Sequence, residues 1–151
     1  MPKKIRTWVV VADGAHAKAY LNEGPGTGLA AVPEMELAGT RALDRDIHTD
    51  RSGRQSNVPG GAARHAVDPR ENARNQVERS FIREVADALA AAERDDAFDR
   101  LVVVAAPHAL GDLRSLLPDA VARKVVAEID RDYVHLSPKQ LAEHLGDVVR
   151  T

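Results

Sequence analysis

The chain has 151 residues, 44% apolar and 29% charged, with a formal net charge of −2. That is room for one domain with its own hydrophobic core, and the near-balanced charge gives no molecule-wide attraction to nucleic acid, so any such binding needs a local patch. Cysteine is absent, which excludes disulfides, thiol catalysis and cysteine-ligated zinc.

The N-terminal Met-Pro-Lys-Lys-Ile-Arg is basic, but the apolar run after it is short and meets Asp13, unlike a secretory signal. No stretch approaches the roughly 18 apolar residues of a membrane span, so a soluble cytoplasmic protein with no membrane partner is expected. Residues 7–12, a β-branched run, predict a buried strand, and Asp13-Gly14 predicts a hairpin turn. A second strand over 15–22 would place Ala15, Ala17, Ala19 and Leu21 on one face and His16, Lys18 and Tyr20 on the other. Gly24-Pro25-Gly26-Thr27-Gly28 reads as a turn, since it lacks the strand-turn-helix context of a dinucleotide fingerprint. A third, weaker strand is predicted over 29–37, at a sheet edge because Pro33 cannot donate to a ladder.

Residues 41–68 carry only four scattered large aliphatics (Leu43, Ile47, Val58, Val67), together with five arginines and two histidines. A structureless stretch of that length inside a domain is either a functional loop or a linker; here it is expected to be a flexible loop. Asp68 suits an N-cap, Pro69 the first helical position and Glu71 the third. A helix of about 25 residues follows, with Val77, Phe81, Val85 and Leu89 as its apolar stripe and Arg70, Arg74 and Arg83 off the stripe's centre.

Residues 101–106 form a second continuous apolar run, ended by Pro107-His108, and such runs suggest strands covered on both faces. A short helix is predicted over 110–117, a turn over 119–124 and a strand over 125–130. Ser137-Pro138-Lys139-Gln140 is a capping box, with Leu136 and Leu141 as its staple, opening a helix to about residue 149. The order β-β-β-loop-α-β-α-β-α predicts a single α/β domain over 1–151: three layers around a mixed sheet.

Three constellations could carry chemistry. Asp13 ends the first strand, and Glu128, Asp130 and Asp132 lie on or after a later one. Carboxylates gathered at sheet ends can hold magnesium for phosphodiester hydrolysis, although the favoured reading is that Asp13 makes its turn with Gly14 and the others are solvated. His108, past the end of a strand, lies where α/β proteins place ligand-contacting residues and could act as a base, or simply pack the next helix. In the loop, Gly60-Gly61 permits close backbone approach. Arg51, Arg54, Arg64, Arg70 and Arg74 could fork onto phosphates, with His65 beside them, or merely balance Asp44, Asp46 and Asp50. At 3% aromatic residues, the chain lacks the stacking platforms of single-strand binders. Among the six histidines no pair has a metal-binding helical spacing, so zinc and iron are not expected.

Trp8-Val9-Val10-Val11-Ala12-Asp13-Gly14-Ala15, Asp50-Arg51-Ser52-Gly53-Arg54, His65 to Arg70, Ala106-Pro107-His108-Ala109-Leu110-Gly111-Asp112-Leu113-Arg114 and Glu128-Ile129-Asp130-Arg131-Asp132 resemble the bacterial host attachment protein family. That family in turn resembles the middle domain of archaeal and eukaryotic class 1 peptide-chain release factors. The resemblance implies an RNase H-like α/β fold in which a long loop carries Gly-Gly-Gln ahead of a long helix. Gly60-Gly61 falls at the equivalent place, but Ala62 stands where the glutamine would be, and a methyl group cannot reproduce an amide's hydrogen bonds. The expectation is a non-enzymatic domain, without a cofactor, associating with ribosomal RNA or tRNA. The residues implied are Arg51, Arg54, Gly60, Gly61, Arg64, His65, Arg70 and Arg74; a homo-oligomer is compatible with it. The alternatives are a metal-dependent nuclease or esterase using Asp13, Glu128 and Asp130 or His108, and a host-interaction scaffold.

Overall fold

The computed structural model describes residues 4–39, 69–146 and 148–149. Strand β1, Thr7–Ala12, is buried at every position because both of its faces are covered. Trp8, Val10 and Ala12 enter one apolar cluster, Val9 and Val11 the other. The expectation of a doubly covered strand, drawn from the unbroken run of β-branched residues, holds. β2, His16–Asn22, returns antiparallel beside it, Ala12 opposite Ala17. As predicted, Ala17, Ala19 and Leu21 share one face and Tyr20 takes the other.

The third strand does not run unbroken over 29–37. Two dipeptides, β3 (Ala30–Ala31) and β4 (Leu37–Ala38), both pair with β2, separated by a 3-10 turn over Pro33–Met35. Pro33, lacking an N–H, begins that turn, and the turn drops Met35 into the core at 3% exposure. The segment 24–28 is a connector: Gly24, Gly26 and Gly28 have positive φ, and the buried Asn22 amide donates to the carbonyls of Gly24 and Gly28.

Helix α1, Pro69–Arg94, spans 26 residues. Phe81, Ile82, Val85, Ala86, Leu89 and Ala90 are its buried face, but Val77 is 40% exposed. The stripe keeps its period toward the N-terminus, yet the sheet beneath it ends before Val77 is reached. The predicted N-cap, Asp68, lies outside the described residues. The helix closes with Asp96 at φ 58, its amide on Glu93 O and the Ala97 amide on Ala92 O, the Schellman arrangement.

Strand β5, Arg100–Ala105, lies parallel to β1, and β6, Val125–Asp130, parallel to β5. Between them come α2 (Pro107–Leu116) and α3 (Asp119–Ala122). α2 starts three residues earlier than expected, since Pro107 serves as its first residue rather than as a breaker. The register shifts between Leu101 and Val102, where Val125 and Ala127 become successive partners. Val126 is the extra residue of a bulge, so Val125 joins one cluster while Ala127 and Ile129 join the other.

The C-terminal helix α4 runs only over Pro138–His144, shorter than the expected span to 149. Both halves of the Ser137–Gln140 capping box are present. The sheet order is β3-β2-β1-β5-β6, with β4 also on β2. Helices α1, α2 and α3 cover one face. The other is covered by Val134, Leu141, Leu145 and Val149. The molecule is thus an α/β domain around an open mixed sheet.

Candidate functional site

Strands β1, β5 and β6 run parallel, so their carboxyl ends (Ala12, Ala105, Asp130) share one edge, where open α/β sheets gather ligand-binding residues. Asp13 follows β1 directly. Its Oδ1 accepts the amides of Ala15 (2.8 Å) and His16 (2.7 Å), and its own amide donates to His16 O. The hairpin is thus a turn built around the aspartate. Gly14 has no positive φ; it is needed because a Cβ there would stand 2.6 Å from Glu78 Cδ on α1.

At the far side of the same edge the chain leaves β6 through 131–136. Val134 is buried against Val9, Val11, Val102 and Val104, and Tyr133 lies 4.7 Å, ring to ring, from His144 of α4. With those two anchored, the segment folds into a turn closed by the Leu136 amide on Tyr133 O, carrying Asp132 and His135. One ligand atom each from Asp13, Asp132 and His135 comes within 4.8 Å of the others. His16 stands beside them, its ring centroid 6.4 Å from that of His135.

Glu128 and Asp130 do not join this group. Glu128 accepts from Arg114 Nε at 2.7 Å, on the side of the sheet that α2 covers. His108 lies in the first turn of α2 rather than in a loop, 58% exposed, with Nδ1 3.7 Å from Asp112 Oδ2. Asp112 also accepts from Arg79 of α1 at 3.0 Å, and Arg79 reaches Ser115 Oγ. This network ties α1 to α2.

Arg51, Arg54, Gly60, Gly61, Arg64 and His65 lie outside the described residues. Arg70 and Arg74 are exposed on α1. Spaced eleven and seven residues before Phe81, they continue the line of the sheet-facing stripe rather than flank it; Arg83 lies on the opposite side. Glu78 already passes over the turn after β1, so the residues before it overhang the carboxyl edge by about 13 Å.

Asp132 and His135 were missed as a pair because they sit in an irregular segment with no periodicity. The available signal was a repeated tetrad: Asp13-Gly14-Ala15-His16 and Asp132-Tyr133-Val134-His135 share the spacing Asp-x-x-His. At the opposite end of the sheet a cavity of about 310 Å³ is lined by Ile5, Val126 and Val148 among others. It has no carboxylate or imidazole among its lining residues. No described helix is long and apolar enough to cross a membrane.

No curated protein matches the chain. A family model described as "protein required for attachment to host cells" matches residues 8–145.

Proposed function

Since the chain belongs to the family of proteins required for attachment to host cells, we propose that it serves that process indirectly, as a non-enzymatic module that binds ribosomal RNA or tRNA at the carboxyl edge of its sheet. The observation that carries this reading is the overhang of α1. None of the twelve residues from Pro69 to Ser80 is buried, and Arg70 and Arg74 occupy the line that faces the sheet lower down. Helix that is exposed all round is held for a partner or by its own polar pairs. Guanidinium groups one turn apart suit successive phosphates. The resemblance to release-factor middle domains agrees with a ribosomal partner, and Ala62 with binding rather than hydrolysis.

The test is equilibrium binding of ribosomes and of tRNA across a salt series, for the wild type and for Arg70→Ala/Arg74→Ala. Each lost phosphate contact removes about 0.7–0.9 from the slope of log K against log salt, so the double variant is expected to lose roughly 1.5 in slope. Binding that ignores salt, or a slope unchanged in the variant, removes the reading. Saturable binding to host-cell surfaces in place of RNA would favour direct contact.

A further inference from the structure

We propose that the two Asp-x-x-His tetrads, Asp13 to His16 and Asp132 to His135, form a binding site for one divalent first-row transition cation. The argument begins with convergence. The tetrads are 119 residues apart in the chain, from Asp13 to Asp132, yet the fold brings Asp13, Asp132 and His135 within 4.8 Å of one another. One follows β1 and the other β6, so together they bracket the carboxyl end of β5.

Charge is the second strand of the argument. Two carboxylates at this separation repel, and neither pairs with a lysine or arginine of the described residues. The turn accounts for one oxygen of Asp13 only. Its Oδ1 holds two backbone amides, which fixes the carboxylate and leaves the second oxygen without a hydrogen-bond partner among the described residues. A bound cation relieves the repulsion and uses that orientation.

The third observation concerns the neighbouring histidine. The His16 ring is 45% exposed, but its Nδ1 atom is buried and takes no hydrogen bond. It lies 3.6 Å from Asp13 Oδ1, too far for a hydrogen bond. A buried ring nitrogen without a partner is costly in protein, whereas it is a ready donor to a metal. The converging donors are thus two carboxylates and one imidazole, with the His16 nitrogen next to Asp13. Imidazole suits zinc, iron, cobalt and nickel, while magnesium and calcium favour an all-oxygen set. The set therefore selects a transition ion, in contrast to the magnesium expected of Asp13, Glu128 and Asp130. Nitrogen and oxygen ligands that leave open positions are also the makings of a Lewis-acid centre.

The site does not depend on the RNA reading, and the two are tested apart, since RNA binding can be measured in chelator. Isothermal titration of tag-free protein with Zn²⁺ alone, Mn²⁺ alone and Mg²⁺ alone is expected to show one saturable site for Zn²⁺ and Mn²⁺ and much weaker binding of Mg²⁺. Asp132→Asn and His135→Ala should each weaken Zn²⁺ binding by about 100-fold, and His16→Ala by about tenfold, within or near the range seen for tuned metal sites. Asp132 and His135 are exposed, so both variants should melt like the wild type without metal, and Zn²⁺ should raise the melting temperature of the wild type alone. Absence of saturable Zn²⁺ binding, Zn²⁺ binding unchanged in both variants, or Mg²⁺ binding as tight as Zn²⁺ would each overturn the proposal.

Discussion

Gly39 is seated against Phe81 so closely that a β-carbon on the glycine would stand 3.0 Å from the ring's Cδ1 and 3.3 Å from its Cβ. The Gly39 amide donates to Ala15 O at 2.7 Å, and Phe81 is 3% exposed in the core. A β-carbon would fit only if the ring or the backbone gave way by a few tenths of an ångström. Gly39→Ala should therefore cost about 1–3 kcal/mol by overpacking, read as a lower urea midpoint at unchanged slope. A variant within error of the wild type would show that the ring has room to shift.

Gly111 is the opposite case. It lies inside α2 with nothing within 4 Å of the place a Cβ would take, so the glycine brings only conformational freedom. Gly111→Ala is expected to raise stability by about 0.5–1 kcal/mol, measured by the same denaturation.

Asp96 closes α1 in a left-handed conformation that costs an L-residue about 1–2 kcal/mol. Its ion pair with Arg6 is made by a carboxylate 72% exposed and contributes little. Asp96→Gly should be more stable than Asp96→Ala by about 1 kcal/mol. Equal melting temperatures for the two would count against the strained cap.

Tyr20 gives the fold an alkaline limit. Burial of the ring opposes the phenolate, and the charge of Glu36 adds to it, so its pKa is raised from the ordinary 10.0. With the folded value above the unfolded one, the folded chain holds the proton longer. This contribution is complete below about pH 10 and is lost as pH rises through the folded value. Tyr20→Phe should flatten the fall of stability with pH in that range, leaving neutral pH unaffected.

Where a segment's pattern was complete within itself, the sequence predicted it: β1 and β5 from continuous β-branched runs, α4's start from Ser137 and Gln140. What failed needed knowledge of something distant. Val77 has the right period but lies beyond the edge of the sheet. Pro107 reads locally as a stop, and is a helix start because the chain turns back over the sheet. Glu128 and Asp130 alternate correctly, but the bulge at Val126 aims Glu128 toward Arg114. The Asp132–His135 turn takes its place from Val134 and Tyr133, whose partners lie on β1, β5 and α4. Of the candidate site, the ends of the strands could be anticipated; the meeting of two tetrads from opposite ends of the chain could not.

The two faces of the sheet are covered by layers of very different size. One rests under the 26-residue α1. Among the described residues, the other rests under a seven-residue helix and the short turns around it, a length far below what holds a helix together alone. The molecule should therefore breathe unequally. Amides of α4 would exchange with solvent through local opening, while those of the buried half of α1, from Phe81 onward, exchange only with global unfolding. Each such opening would briefly bare Val9, Val11, Val102 and Val104, giving the protein a transient greasy face on one side only. Ser137 and Gln140, at the surface, set how often that happens.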